Sequence, residues 1–237
     1  MKSKLVYILI GALVLGGILF GVGMLLPGNT PSTAGVASRN ALEPFTSIDL
    51  SVKSADVSIV YGDDYAVSYD LHGREPVETL EVRNGTLMFD TGFSARWKPT
   101  SGDWSVVVTV PAGTTFDSVS LHTTAGDIEL RDLTAADLDL KSTSGDIELE
   151  NVTAETLIAE TVSDDIELDG CVLTDSAHLK SVSGDISANG DFGVVKAESI
   201  GGVTLNGASQ GRKMAIGKGS PTLTAESISG EINLILP

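Results

Sequence analysis

An eight-residue phrase returns along this chain at almost constant spacing, and that spacing restricts the fold more than any other feature. TTAGDIEL ends at Leu130, STSGDIEL at Leu149, TVSDDIEL at Leu168 and SVSGDISA at Ala188. The aspartates in register are Asp127, Asp146, Asp165 and Asp185, so the steps are 19, 19 and 20 residues. A worn copy, SIGGVTL, ends at Leu205 and a clear one, SISGEINL, ends at Leu234. Between them, KMAIGKGSPTL (Lys213 to Leu223) is expected to be a further degraded copy with altered spacing. A fixed period of this kind marks a stacked repeat architecture.

Each unit has one grammar. An alternating stretch such as Leu138-Asp139-Leu140 leads into a small-residue turn ending in Ser-Gly-Asp, and a second alternating stretch such as Ile147-Glu148-Leu149 follows. The period is two, so these are strands. Ile128, Leu130, Ile147, Leu149, Ile166 and Leu168 should face one way, and Glu129, Glu148 and Glu167 the other. A two-strand unit of this length cannot close a core alone. Stacking units about 4.8 Å apart joins their backbones in parallel ladders and their apolar residues in columns. The expected fold is therefore all-β, a parallel, β-helix-like solenoid of roughly 19-residue two-strand repeats. Leu133, Val152 and either Cys171 or Val172 should add a column at the second turn. Helical crossovers have no room between such strands, which excludes a doubly wound α/β sheet.

Residues 45–115 read differently. Asn84-Gly85 between Leu80-Glu81-Val82 and Leu87-Met88-Phe89 signals a two-residue hairpin. Both tryptophans, Trp97 and Trp104, fall here, where a solenoid needs an atypical end over its first rung. This region is expected to form an N-terminal β cap continuous with solenoid repeats over residues 116–237.

Ahead of it, Leu5 to Leu26 contains no charged residue, and a helix of about 20 apolar residues spans a bilayer core. Lys2 and Lys4 precede this stretch and the next basic residue is Arg39, so the positive-inside rule directs the N-terminus to the cytoplasm. The expectation is a cytoplasmic tip and transmembrane anchor over residues 1–26 and a Pro/Gly/Ser/Thr-rich linker over 27–44. The protein would then be a single-pass cell-membrane protein with its C-terminal domain outside the cytoplasm. A signal peptide cut near Ala37 or Ser38 is the competing reading, although its apolar region would ordinarily be only about 7–15 residues. No Cys lies next to the segment to carry a lipoprotein anchor.

Composition narrows the partners. The chain has 32 acidic and 15 basic residues; with Lys2 and Lys4 set aside, 13 bases face all 32 acids and the remainder carries −19. That field repels nucleic acid and favours divalent or basic partners. Aromatics make up only 5%, which suits thin, tightly turned β structure. The single Cys171 can form no internal disulfide, and its place beside the apolar column makes it core filling rather than a reactive thiol.

Asp127, Asp146, Asp165 and Asp185 are the candidate binding residues. A carboxylate ladder at rung spacing could share oxygens around Ca²⁺, yet each Asp could equally accept hydrogen bonds from its own turn, which needs no ion. The Gly-Gly-x-Gly-x-Asp pattern of calcium-binding nonapeptide repeats is absent from this sequence. Catalytic carboxylate pairs need environments that split their pKa values, whereas these acids are periodic. His72, His122 and His178 lack metal-ligand spacing. No catalytic residue, metal site or cofactor is expected, and the protein reads as a non-enzyme.

The order Ser54-Ala55-Asp56-Val57-Ser58-Ile59, Asn84-Gly85-Thr86-Leu87, Val108-Thr109-Val110-Pro111-Ala112-Gly113-Thr114, then iterated Ser-Gly-Asp-Ile strands, resembles the bacterial putative-adhesin family of β-strand-repeat proteins. The resemblance runs from about Phe45 to Pro237 and includes the anchor arrangement. It implies a cell-surface β-solenoid with an adhesive role, described as a domain of unknown function, and supplies no catalytic residues to carry over. The turn glycine is replaced at Asp164, and the rungs from Gly190 to Pro221 are irregular. The expected function is a membrane-anchored adhesin or cell-envelope interaction scaffold, binding an extracellular or cell-wall ligand or a membrane-protein partner. An accessory subunit of an envelope-stress sensing system is the alternative.

Overall fold

The computed structural model describes residues 36–39, 41–71, 77–92 and 104–237. All belong to the compact unit Thr33–Pro237, the other unit being Met1–Ser32. The expected anchor, most of the linker, His72 and Trp97 lie outside the described residues. Among the described residues no helix is long and apolar enough to cross a membrane.

The described chain is all-β. Its early strands are β1 (Val36–Arg39), β2 (Ser47–Ser51), β3 (Asp56–Gly62), β4 (Ala66–Asp70), β5 (Val77–Arg83), β6 (Thr86–Thr91) and β7 (Ser105–Pro111). The regular repeats supply β8 (Thr115–His122), β9 (Ile128–Arg131), β10 (Thr134–Lys141), β11 (Ile147–Glu150), β12 (Thr153–Glu160), β13 (Ile166–Asp169), β14 (Val172–Ser181) and β15 (Ile186–Asn189). The remainder forms β16 (Val194–Leu205), β17 (Ala208–Gly217), β18 (Thr222–Ser227) and β19 (Ile232–Ile235).

Each repeat is one rung of two strands, and successive rungs pair in parallel. Leu121, Leu140, Ala159 and Leu179 stack in the first strand column. Ile128, Ile147, Ile166 and Ile186 stack in the second. All eight are buried. The alternation expected of Ile128/Leu130, Ile147/Leu149 and Ile166/Leu168 against Glu129, Glu148 and Glu167 is therefore the observed one. Burying a Leu or Ile side chain contributes about 1.5–3 kcal/mol, so each column adds to the stability rung by rung. At the second turn Leu133, Val152 and Cys171 continue a buried column, while Val172 is 55% exposed.

The order of rungs in space is not their order in sequence. β2 and β3 lie between the β6/β7 rung and the β8/β9 rung, pairing in parallel with both. At the far end β18 and β19 lie between the β14/β15 rung and β16. Residues 45–115 thus supply two rungs, and antiparallel strands cover the terminal ones. β5 lies on β6, β4 on β7, and β17 on β16. Parallel stacking leaves open edges that template aggregation, and reversal of the chain onto them blunts both ends.

One sequence expectation is corrected here. The stretch Lys213 to Leu223 is no degraded rung: Lys213 to Gly217 finish the antiparallel β17, and Thr222 opens β18. Gly207, Gly211 and Gly217, all at positive φ, let this strand turn and bend, where a rung would need an unbroken parallel register.

The columns set a contrast in stability. Ile147→Asp should cost more than about 3 kcal/mol, because it buries an unpaired carboxylate, whereas Glu148→Lys, on the outward face, should cost under about 1 kcal/mol. Urea denaturation of both variants measures the difference, and equal losses would contradict the strand register.

Candidate functional site: the acidic turn ladder and its face

The Ser/Thr-x-x-Gly-Asp turn is built from three stacked columns. The first is a buried hydroxyl column of Thr123, Ser142, Thr161, Ser181, Ser227 and Ser199. Each hydroxyl donates to a carbonyl one rung away: Ser142 Oγ to Gly126 O at 3.3 Å, Thr161 Oγ1 to Gly145 O at 3.3 Å, Ser181 Oγ to Asp164 O at 3.2 Å. Several also accept from the amide three residues on, as Thr123 Oγ1 does from Gly126 N (3.1 Å) and Ser181 Oγ from Gly184 N (2.9 Å). A buried hydroxyl left unpaired costs about 1–3 kcal/mol, so this pairing suits Ser or Thr on these six rungs, while Val52 takes the position on the β2/β3 rung without a hydroxyl.

The second column is glycine. A Cβ on Gly145 would sit 2.0 Å from Gly126 O, and one on Gly126 would sit 2.0 Å from Ala55 O. At Gly126 and Gly145 the turns approach so closely that a side chain has no room, whereas the rungs of Ala55 and Asp164 accommodate one.

The third column is the aspartate ladder, and all four expected binding residues fall on it. Asp146 N donates to Asp127 Oδ1 (2.9 Å), Asp165 N to Asp146 Oδ1 (2.9 Å) and Asp185 N to Asp165 Oδ1 (2.6 Å). Asp56 and Glu231 extend it at either end: Asp127 N donates to Asp56 Oδ1 (3.0 Å) and Glu231 N to Asp185 Oδ1 (2.7 Å). Each carboxylate therefore caps the backbone of the neighbouring rung, not its own turn as an Asx turn would. Asp56 was legible in Lys53-Ser54-Ala55-Asp56-Val57, a copy of the turn with Ala for Gly, whereas the place of Glu231 beside Asp185 depends on the non-sequential rung order.

Two residues beyond each ladder position the same outward face carries Glu129, Glu148 and Glu167, and two further on Arg131, Glu150 and Asp169. Three rungs thus present eight carboxylates in a grid with one cation. Arg131 reaches Glu148 (3.5 Å) and Glu129 (4.0 Å) and contacts Glu150 directly. Nothing in the repeat phrase singles out Arg131, which lies just past its recurring letters. Partial burial pushes the Glu148 carboxyl above its ordinary pKa, Glu129 adds to the rise, and Arg131 opposes it. Asp164, which replaces the turn glycine, is also raised, by desolvation and then by Asp146, Asp127 and Asp165. Among the described residues no cluster of His, Cys, Asp or Glu has the geometry to hold a metal ion. His122 instead lies 3.6 Å from Asp139 on the first strand column, away from the ladder. Burial raises the Cys171 thiol pKa, with hydrogen bonds to backbone carbonyls in place of a reactive setting.

Parallel two-strand rungs, joined at their turns by columns of hydroxyls, glycines and carboxylates, define the class as a β-solenoid repeat domain. The chain belongs to the Toastrack DUF4097 family, whose model matches residues 45–237. No curated protein matches the chain. Among solved structures it is similar to a putative adhesin from Bacteroides fragilis, at 18% identity over 89% of this chain and 100% of that one, with a TM-score of 0.47. It is also similar to a putative cell adhesion protein from Clostridium sporogenes, at 12% identity over 85% and 100%, TM-score 0.49. A third is a putative lipid binding protein from Parabacteroides distasonis, at 18% identity over 84% and 96%, TM-score 0.34.

The ladder makes a distinction that melting experiments read. Asp146→Ala removes the acceptor for Asp165 N–H and should cost about 1–3 kcal/mol, while Asp146→Asn retains an acceptor and should cost much less. EDTA should leave the melting temperature of the wild type unchanged; a calcium-dependent rise lost in Asp146→Asn would show that the carboxylates hold an ion.

Glu148 gives a pH signature. Its folded pKa is raised, so its penalty on the fold is complete above that value and disappears as pH falls to the ordinary glutamate range. Glu148→Gln should therefore melt at or above the wild-type temperature at pH 7, and the gap should narrow as the pH is lowered to about 4. A gap independent of pH would show that Glu148 titrates normally.

Proposed function

We propose that this chain is a membrane-anchored, non-enzymatic surface protein, an adhesin or cell-envelope interaction scaffold, that grips basic partners through the acidic face of its second strand column. The observation that carries the reading is the grid of Asp127, Asp146, Asp165, Glu129, Glu148, Glu167, Glu150 and Asp169 around Arg131. Each ladder aspartate gives one oxygen to the backbone of the next rung, so the charges are held at fixed rung spacing with little left to order on binding. Spaced carboxylates on a stiff sheet suit a flexible Lys/Arg-rich segment of a wall or membrane protein, whose cations can follow the rungs. The adhesive role implied by the family resemblance agrees with such a surface. In this reading Leu5 to Leu26 is the anchor, Lys2 and Lys4 remain in the cytoplasm, and the solenoid stands outside.

Cells displaying the full chain, stripped of wall, should bind a fluorescent oligolysine, and binding should fall with added salt. External protease should abolish it. Combined Glu129→Gln, Glu148→Gln and Glu167→Gln should remove most of the binding, while Asp137→Asn, Glu155→Gln and Asp175→Asn, on the other strand column, should leave it nearly intact. Equal losses in the two triple variants would reduce the effect to bulk charge and sink the assignment of the face.

A further inference from the structure

The opposite outward face, on the first strand column, has a different pattern. Lys141, Glu160, Lys180 and Glu226 stack directly on one another through four consecutive rungs. Their signs alternate along the solenoid axis. Lys141 is held by Asp139 at 3.0 Å, but among the described residues Glu160, Lys180 and Glu226 close no ion pair. Lys180 thus stands between two acidic neighbours in its column, Glu160 and Glu226, without closing a bridge to either.

Two residues further along the chain from each runs a second column, Thr143, Val162, Val182 and Ile228, whose register is set by Ser163 N to Thr143 O, Ser183 N to Val162 O and Ser229 N to Val182 O. Val162 is 44% exposed and Ile228 54%. Ile158, two residues before Glu160, is 41% exposed, and Ile200 on the adjoining rung 62%. Thr124 and Thr143 occupy the same column on earlier rungs, so the turn does not require an apolar residue there. An apolar stripe bordered by charges of both signs has the make-up of an interface, with an apolar centre and a charged rim.

The alternation identifies the partner. Reversed end for end, the order Lys, Glu, Lys, Glu becomes Glu, Lys, Glu, Lys, which is its own complement. We propose that this face binds the same face of a second copy of this chain, about a two-fold axis lying in the interface parallel to the strands and passing between Glu160 and Lys180. The two solenoids then run antiparallel. Glu160 of each copy meets Lys180 of the other, Lys141 meets Glu226, and Val162 meets Val182 across a dry centre. A contact of this isologous kind needs a self-complementary patch, and the alternating column is one. An axis along the solenoid instead would oppose like charges at every rung. The proposal is independent of the acidic face, which lies on the other strand column and stays free in the pair.

Co-isolation of two differently tagged full-length chains from one cell population tests it. Wild-type chains should co-isolate. Lys180→Glu alone and Glu160→Lys alone should each lower recovery about tenfold or more, since each places two like-charge pairs across the axis. Mixing the two single variants should restore recovery, because the two acidic side chains that one chain then carries at these positions face the two basic side chains of the other. Carrying both changes in one chain should restore it as well. Failure of wild-type chains to co-isolate would overturn the proposal. So would indifference to the single changes, or losses that mixing does not repair; in that last case capture of a different protein or of lipid would identify another occupant.

Discussion

The structure depends on the close approach of successive turns. Where Gly145 passes within 2.0 Å, at its notional Cβ, of Gly126 O, neither turn can move apart from the other without losing the hydroxyl bond from Ser142 or the carboxylate bond to Asp146 N. Rung spacing is thus set at the corner rather than along the strands. With that spacing fixed, the strands fall into parallel register, the Ile147 and Leu140 columns become continuous, and every outward residue acquires a like-placed neighbour one rung up and down. Both surfaces described here follow from this. Charges that would be scattered on a globule become lines of charge.

A line of like charge is costly, and the molecule answers the cost in two ways. On the second strand column Arg131 stands among Glu129, Glu148 and Glu150, and the aspartates give one oxygen each to backbone amides. On the first column, signs alternate from Lys141 to Glu226. Glu148 is pushed above its ordinary pKa first by partial burial and then by Glu129, with Arg131 opposing. Eight carboxylates around one guanidinium leave this face with a net negative field, which attracts cations.

Much of this is legible in the sequence. The 19-residue step, the alternation of Ile147-Glu148-Leu149 and the Ser-Gly-Asp phrase define strands, faces and the parallel stack, because a period of two within strands and a fixed period between them admit few solutions. Rung order is not legible. SIGGVTL and SISGEINL look like successive rungs in sequence, yet β18 and β19 take the place next to β14 and β15, since a parallel stack accepts any rung of matching register and local pattern holds no information about which neighbour it meets. Lys213 to Gly217 escape the sequence for a related reason: Met214 and Ile216 alternate as a rung strand does, and only the reversal onto β16 shows the direction of the chain. Among the site residues the four aspartates are visible through their repetition; Asp56 and Glu231 hold the same position in an altered and in a late copy, and Arg131 lies outside the phrase.

The placement of β18 and β19 sets an order of events during synthesis. β16 and β17 leave the ribosome before the rung that separates them from β14 and β15, so a chain delivered from its N-terminus reaches a stage at which the six-rung stack is formed and its far edge is open. Leu223, Ala225, Ile232 and Leu234, all buried, are the residues that close it. β16 pairs only with β17, β18 and β19 among the described strands, so its place in the stack waits for the rung that follows it in sequence. Closure of that end is thus a long-range event in a fold whose other repeat rungs from β10 to β15 each meet the rung made just before them.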